Sequence, residues 1–330
     1  MEKIKAIALV SGGLDSWLAA KYMKELGVEV IVVNYIIPFS DCADRARKIA
    51  EDIGAECRVF TLTGEYLAML KEPRHGYGSN MNPCIDCKIL MLRKAGELMR
   101  EIGAKFLITG EVLGQRPMSQ HRHALGIIEK ESGMKGYILR PLCAQHLEPT
   151  VPEQEGLIPR ERLLSFSGRT RKPQFELAAK LGITDLPCVA GGCLLTDPNY
   201  AKRLEDLWNH TKEIGFNDTQ LLKVGRYFRL APDAVLIVGR DEQENGQIER
   251  LAQAGDLILM PTEEMAGPTA LGRGRFDDAR TELSARIVCR YCDLNGKPSG
   301  DILFWRVPAT DKQTAHVVPV TDAELERYRV

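Results

Sequence analysis

The stretch from Lys5 to Val10 reads as a buried strand that runs straight into Ser11, Gly12, Gly13, Leu14, Asp15 and Ser16. A helical pattern through Trp17, Leu18, Ala20, Met23 and Leu26 follows at once. A strand, a paired-glycine turn and a helix N-terminus together make an anion site, because first-turn N–H groups point outward and the helix dipole adds positive potential. Gly12 and Gly13 let the backbone approach a phosphate with no Cβ in the way. Ser11 and Ser16 can add hydroxyl donors. The plainer alternative is an ordinary glycine turn with Ser16 as a helix cap. The string is not Gly-x-x-x-x-Gly-Lys-Ser/Thr, so transfer of a γ-phosphate is not indicated, and no Gly-x-Gly-x-x-Gly follows the first strand.

The rhythm continues with an apolar run from Val28 to Tyr35, a helix over Ala43 to Ile53 and a strand over Glu56 to Thr61. Alternation of this kind predicts a doubly wound, mostly parallel α/β sheet. Lys71 to Pro83 is loop by composition, Cys84 to Ile102 has helical spacing, and Lys105 to Thr109 is another strand. Thr109, Gly110 and Glu111 therefore fall at a strand's carboxyl end, where open α/β sheets take their ligands. Pro141 to Arg171 reads as functional loop, followed by a short helix over Lys172 to Leu181. The pattern changes near residue 200, with one helical stretch over Leu204 to Lys223. Beyond it, strands are expected at Tyr227–Leu230, Ala234–Val238 and Asp256–Met260, and helices at Asp241–Ala254 and Asp277–Tyr291. The expected division is 1–200 for the α/β domain and 201–330 for a second, smaller α+β domain.

With 330 residues, 44% hydrophobic and a formal net charge of -1, the chain has material for two cores and no global field to recruit nucleic acid. Any RNA contact must come from local clusters. The opening on a strand pattern leaves no room for a signal peptide, and no apolar stretch is long enough for a bilayer, so no membrane partner and a cytoplasmic location are expected.

Nine cysteines without a signal peptide argue against a disulfide framework. Cys84 and Cys87 stand at a loop-to-helix entry, where the helix dipole and Lys88 should favour the thiolate. Cys193, after Gly191 and Gly192, is the third candidate, and Cys188 competes with it. Three thiolates suit a site with one open position better than a closed zinc site. They could hold an iron–sulfur cluster, or Cys84 and Cys87 could act as a persulfide or disulfide pair. Cys289 and Cys292 repeat the spacing but sit in an amphipathic pattern and read as packing residues, as do Cys42, Cys57 and Cys143.

Ser11 to Ser16, Cys84 to Cys87, Thr109 to Gln115 and Gly191 to Cys193 together resemble the PP-loop ATP-pyrophosphatase domain of tRNA thiouridine synthases, especially the 4-thiouridine (ThiI-like) branch. The likeness covers about the first 200 residues, with Gly110 to Gln120 its most diagnostic part. It implies an adenine nucleotide alpha hydrolase-like fold and cleavage of ATP to AMP and pyrophosphate. In that reading a uridine carbonyl oxygen is adenylated and then replaced by sulfur. It further implies ATP binding by Ser11, Gly12, Gly13, Asp15, Ser16 and Gly110, with Asp15 organising Mg2+ or the phosphates. Cys84, Cys87 and Cys193 would serve sulfur transfer, as ligands of a [4Fe-4S] cluster, fed by sulfide or a persulfide carrier. Gly225 to Arg229 and Val238 to Asn245 resemble the NFACT-R domain, whose suspected role is RNA binding.

The family's N-terminal RNA-capturing domain has no counterpart before the loop, so that task is expected of the C-terminal domain or a partner. Candidate RNA contacts are Arg116, Gln120, Arg169, Arg171 and Lys172, with His121, Arg122, His123, Arg160 and Arg162 nearby. Arg226, Arg229 and Arg240, interleaved with Tyr227 and Phe228, offer a second surface. A homodimer is left open. The rival readings are an adenylating amidotransferase or ligase, and a non-catalytic RNA-binding scaffold.

Overall fold

The computed structural model describes residues 4–40, 42–186 and 193–330. It divides into two compact units, one ending at Thr196 and the other covering Asp197–Val330.

The first unit is built on β1 (Lys5–Leu9), β2 (Glu29–Ile36), β3 (Glu56–Thr61), β4 (Phe106–Ile108) and β5 (Ile138–Leu139). All four pairings are parallel and the order is β3-β2-β1-β4-β5. The sequence-predicted doubly wound sheet is therefore present. Its helices are α1 (Leu14–Glu25), α2 (Ala43–Asp52), α3 (Gly64–Lys71), α4 (Cys84–Glu101), α5 (Arg122–Glu131), α6 (Val151–Gln154) and α7 (Lys172–Lys180). Side chains alternate along the central strands, as the two-residue period requires. Ala6, Ala8, Val30 and Val32 pack with Leu14, Leu18, Ile49 and Leu177, so α1, α2 and α7 cover one face. The opposite face belongs to α4, which touches β1 and β4 and is flanked by α3 and α5. Neither α3 nor α5 was evident as a helix in the sequence.

The order of strands fixes the site. Connections from β1 lead outward to β2 and β3, whereas β4 and β5 lie on β1's other side, so the chain leaves β1 and β4 in opposite directions. A crevice opens between their carboxyl ends. Asn34 on β2 steadies this edge, its buried amide donating to the Val10 carbonyl at 2.7 Å.

The second unit contains α8 (Pro198–His210), α9 (Phe216–Leu221), β6 (Arg226–Ala231), β7 (Ala234–Val238), α10 (Glu242–Leu251), β8 (Leu257–Pro261), β9 (Ala270–Gly274), α11 (Asp278–Cys289), β10 (Gly300–Arg306), β11 (Gln313–Val317) and α12 (Asp322–Leu325). Its six strands form an antiparallel sheet in the order β11-β10-β8-β9-β7-β6. The single helix expected over 204–223 is instead two. Thr211 turns extended at φ -129° and ψ 126°, and Gly215 restarts the helix with its N–H on Asp218 Oδ2 at 2.8 Å. Strands β9, β10 and β11 were not anticipated. The first is glycine-rich, and the last is a polar edge strand without apolar alternation.

Candidate active site

The backbone leaves β1, passes Gly12 at φ +77° and enters α1 at Gly13, the N-cap. No side chain caps this end, so Ser16 is not the cap of the plainer reading; its hydroxyl donates to the Gly13 carbonyl at 2.9 Å. Ser11 N–H in turn donates to Ser16 Oγ at 3.3 Å, which closes the loop on itself. A Cβ on Gly12 would sit 3.0 Å from Cys42 Cβ and 3.2 Å from Arg45 Cδ. The stem of Arg45 therefore lies along the loop, a cationic residue beside the glycines that the sequence alone did not single out. Its position on α2, one turn after Cys42, was the available signal.

Across the crevice, the chain leaving β4 comes so close that a Cβ on Gly110 would collide with the Asp15 backbone carbonyl. The two candidate loops are thus in contact, and only glycine fits at the junction. Asp15 is clasped from this side. Gln115 Nε2 donates to Asp15 Oδ2 at 2.7 Å, and Arg171 Nη2 lies 3.2 Å from both carboxylate oxygens. Gln174, 1% exposed, donates to Gln115 Oε1 at 2.8 Å and fixes that amide's orientation. Arg171 was read as an RNA contact; the structure sets it on Asp15 instead, delivered by the start of α7. Gln120 is likewise corrected: at 6% exposure it is turned into the protein, and its carbonyl accepts from Gly114 N–H. Arg116, Arg169 and Lys172 are exposed, as are His121, Arg122 and His123. His121 caps α5, accepting the Ala124 N–H at 3.2 Å.

The other end of the Gly110–Gln120 segment reaches the thiols. Cys84 Sγ donates to Ser119 Oγ at 3.2 Å. Burial pushes the Cys87 thiol up to about 12; the Tyr66 hydroxyl beside it draws it back only in part, and Cys84 and Cys193 push it further up. Burial also raises Cys193. The three candidate cysteines are thus electrostatic neighbours; Lys88 does favour the Cys87 thiolate, as expected, but burial and the other two thiols outweigh it. Lys88 is bound to Glu111, whose other oxygen accepts from Arg140 Nε at 2.8 Å. Burial alone would raise Glu111; Lys88 and Arg140 overcome it and hold the carboxyl down to about 2. This buried network ties α4, which starts at Cys84, to the end of β4.

Among the described residues no group of three or more His, Cys, Asp or Glu side chains is arranged to hold a metal ion. The donor chemistry of Cys84, Cys87 and Cys193 suits a thiophilic group, but their positions as described do not form its ligand set. Cys188, Gly191 and Gly192 lie outside the described residues. Of the remaining cysteines, Cys143 and Cys289 are buried as expected, while Cys42, Cys57 and Cys292 are half-buried.

A glycine loop after the first strand of a parallel sheet is met by the loop after its β4 neighbour, which places an anion-type turn at the carboxyl edge of an α/β domain. Residues 2–151 match the family model described as thiamine biosynthesis protein (ThiI), and residues 225–329 match that of the NFACT protein RNA binding domain. The two family models thus match separate stretches of the chain. It is similar to a probable tRNA sulfurtransferase of Thermococcus kodakarensis, 30% identical over 152 residues that cover 44% of this chain and 39% of that protein. It is also similar to the tRNA-specific 2-thiouridylase MnmA of Lachnoclostridium phytofermentans, 26% identical over 224 residues covering 61% and 59%. Of solved structures, a 4-thiouridine synthetase–RNA complex with bound ATP overlaps 54% of this chain and 51% of its own, with 22% identity and a TM-score of 0.36. The chain therefore spans between about two fifths and three fifths of the length of these curated relatives. No helix among the described residues is long and apolar enough to cross a membrane.

Proposed function

We propose that the protein is an ATP-dependent tRNA sulfurtransferase that converts a uridine carbonyl to a thiocarbonyl and releases AMP and pyrophosphate. The observation that carries this reading is the junction of Gly110 with Asp15, which joins the glycine loop to a segment whose far end touches Cys84. One continuous stretch, Gly110–Gln120, thereby addresses both halves of a two-step substitution.

In the first step the uridine oxygen attacks the α-phosphorus of ATP and pyrophosphate departs. The uncapped N–H groups of α1, with Ser11 and Ser16, receive the departing phosphates, and Arg45 and Arg171 supply cations on either side. Donors fixed before reaction lower the barrier because they need no reorganisation as charge develops. Mg2+, which the family resemblance implies, would neutralise phosphate charge when bound; Asp15 is the carboxylate suited to it, released from Arg171 as the guanidinium turns to the phosphates. In the second step a sulfide attacks the activated ring carbon, AMP leaves with the original oxygen and loss of the sulfur-bound proton gives the thiocarbonyl; with a persulfide as nucleophile, the ring–S–S–cysteine adduct is cleaved by a second cysteine thiol, which leaves a disulfide for an external thiol to reduce. Cys84, Cys87 and Cys193 handle that sulfur. The [4Fe-4S] cluster implied by the resemblance would require these thiols to close up from their described positions.

Arg116, Arg169 and Lys172 are exposed cations for the RNA backbone, and the NFACT-R-type unit is a second RNA-binding element. The product is a thiouridine, with 4-thiouridine the favoured isomer. The test is RNA-stimulated exchange of labelled pyrophosphate into ATP, combined with mass spectrometry of nucleosides from cells with and without the gene. Release of ADP in place of AMP, or an unchanged set of thiolated nucleosides, would overturn the reading.

A further inference from the structure

The second unit has a cavity of about 570 Å3, within the range that small-ligand sites occupy. It lies where β6 begins, β7 and β8 end, α10 begins and α11 has just ended. The arginine-and-aromatic motif found in the sequence resolves here in an unexpected way. Tyr227 and Phe228 are 3% and 0% exposed, so neither can stack on anything outside the core. Arg229 is held by Asp206, with Nη2 2.6 Å from Oδ2. Arg226 alone of the β6 arginines lines the cavity, and its partner is an aromatic from elsewhere: its guanidinium carbon lies 4.3 Å from the centroid of the Tyr291 ring.

This pair is fixed in place. Arg226 Nη1 donates to the Gly239 carbonyl at 2.8 Å, which holds the guanidinium against the ring. The Tyr291 hydroxyl is buried and has no hydrogen-bond partner among the described residues. Glycines build the surrounding wall. A Cβ on Gly225 would lie 2.7 Å from the Val238 carbonyl oxygen, one on Gly239 would strike Asn245 Oδ1, and one on Gly267 would strike Cys292 Sγ. Met260 and Met265 complete the lining with polarisable, adaptable thioethers. Arg240 stands at the rim, paired with Glu244.

We propose that this cavity seats one unpaired nucleotide, its base against the Arg226–Tyr291 pair and Met265, and its phosphate toward Arg240. A flat heterocycle matches a lining that offers flat polarisable surface and a fixed guanidinium; a π-face of any base stacks on such a platform. The inference rests on the RNA-binding reading of this unit and specifies where and how that binding occurs. The nucleotide can be a residue of single-stranded RNA or a free mononucleotide, and the experiment separates the two.

The full chain is titrated into a single-stranded RNA carrying 2-aminopurine, and separately with uridine 5′-monophosphate in an Asp15→Asn background that disables the first site. Variants Arg226→Gln and Tyr291→Leu are compared with Tyr291→Phe, which keeps the ring and removes the hydroxyl, and circular dichroism checks the fold of each. Quenching of the probe with roughly tenfold weaker binding in Arg226→Gln and Tyr291→Leu, and a smaller loss in Tyr291→Phe, supports the proposal with RNA as the source. Binding of the mononucleotide alone, lost in Arg226→Gln, supports the cavity as a nucleotide site but overturns the RNA reading. RNA affinity unchanged in folded Arg226→Gln and Tyr291→Leu overturns the cavity and leaves RNA binding to another surface. Absence of binding to either probe overturns both.

Discussion

At the glycine loop Asp15 is met by an amide and a guanidinium, whereas at the other end of the same Gly110–Gln120 segment Cys84 meets a neutral hydroxyl and Cys87 is a half-buried thiol pushed up to about 12. The first region has its charges in place before any substrate arrives. The second withholds charge. Under the proposed function the difference suits the two reactions: phosphate departure benefits from donors fixed in advance, while an exposed thiolate would be oxidised between turnovers. Activation of the thiols is therefore left to what binds beside them.

The sharpest way to break this contrast is to remove the thiols. Alanine at Cys87 or Cys193 is expected to abolish thiolated nucleoside while pyrophosphate exchange stays near wild type; loss of both activities together would mean that the regions are not separable. Iron analysis of anaerobically purified protein bears on the cluster, and a metal-free preparation that still thiolates RNA would exclude it. Next in size, Asp15→Asn should lower exchange by about 100- to 1000-fold, the scale for losing one preorganised electrostatic contact in a transition state.

The link between the regions can be probed through Glu111. Replacing it with Gln leaves the buried Arg140 only its second partner, Glu129, and should cost up to about 3–5 kcal/mol of stability in the first unit, read from its denaturation midpoint. The sign of the pH dependence is fixed by the lowered carboxyl. The stabilisation is complete above the unfolded value of roughly 4.3 and disappears as pH falls toward about 2. Glu111→Gln should lack this acid-sensitive component, and identical acid profiles for the two proteins would contradict the assignment. The smallest effect is expected at Arg171. Its replacement by Gln should weaken MgATP binding roughly tenfold, as loss of a charged hydrogen bond does, with RNA affinity unchanged. Tighter ATP binding would show instead that Arg171 merely masks Asp15.

The strand, the glycine loop and the helix after it were legible because their signals are local: apolar periodicity, paired glycines and a helix start within a few residues. Gly110 was legible as a strand-end position, though not its collision with Asp15, which depends on β4 pairing beside β1. Arg171 was misread for a similar reason. It lies 156 residues from the carboxylate it holds, and a basic run carries no mark of which arginine is folded inward. Pro173, at the start of α7, was the usable clue that Arg171 sits at a helix entry. In the second unit, the alternation Tyr227, Phe228 was read as a surface. Both faces of β6 are covered, so successive side chains are both interior, and the aromatic that lines the cavity comes from Tyr291, beyond the end of α11.

The β1–β4 neighbourhood has a consequence for biogenesis. The glycine loop leaves the ribosome before its facing wall, because the strand that carries that wall emerges only after α4 and its cysteines have been made. A nascent chain that ends short of Phe106 has the turn without Gly110 and Gln115 against it. Under the proposed function, nucleotide capture is a property the polypeptide acquires only once β4 has been made, and pausing before that point would hold the emerging thiols in a chain whose first site is incomplete.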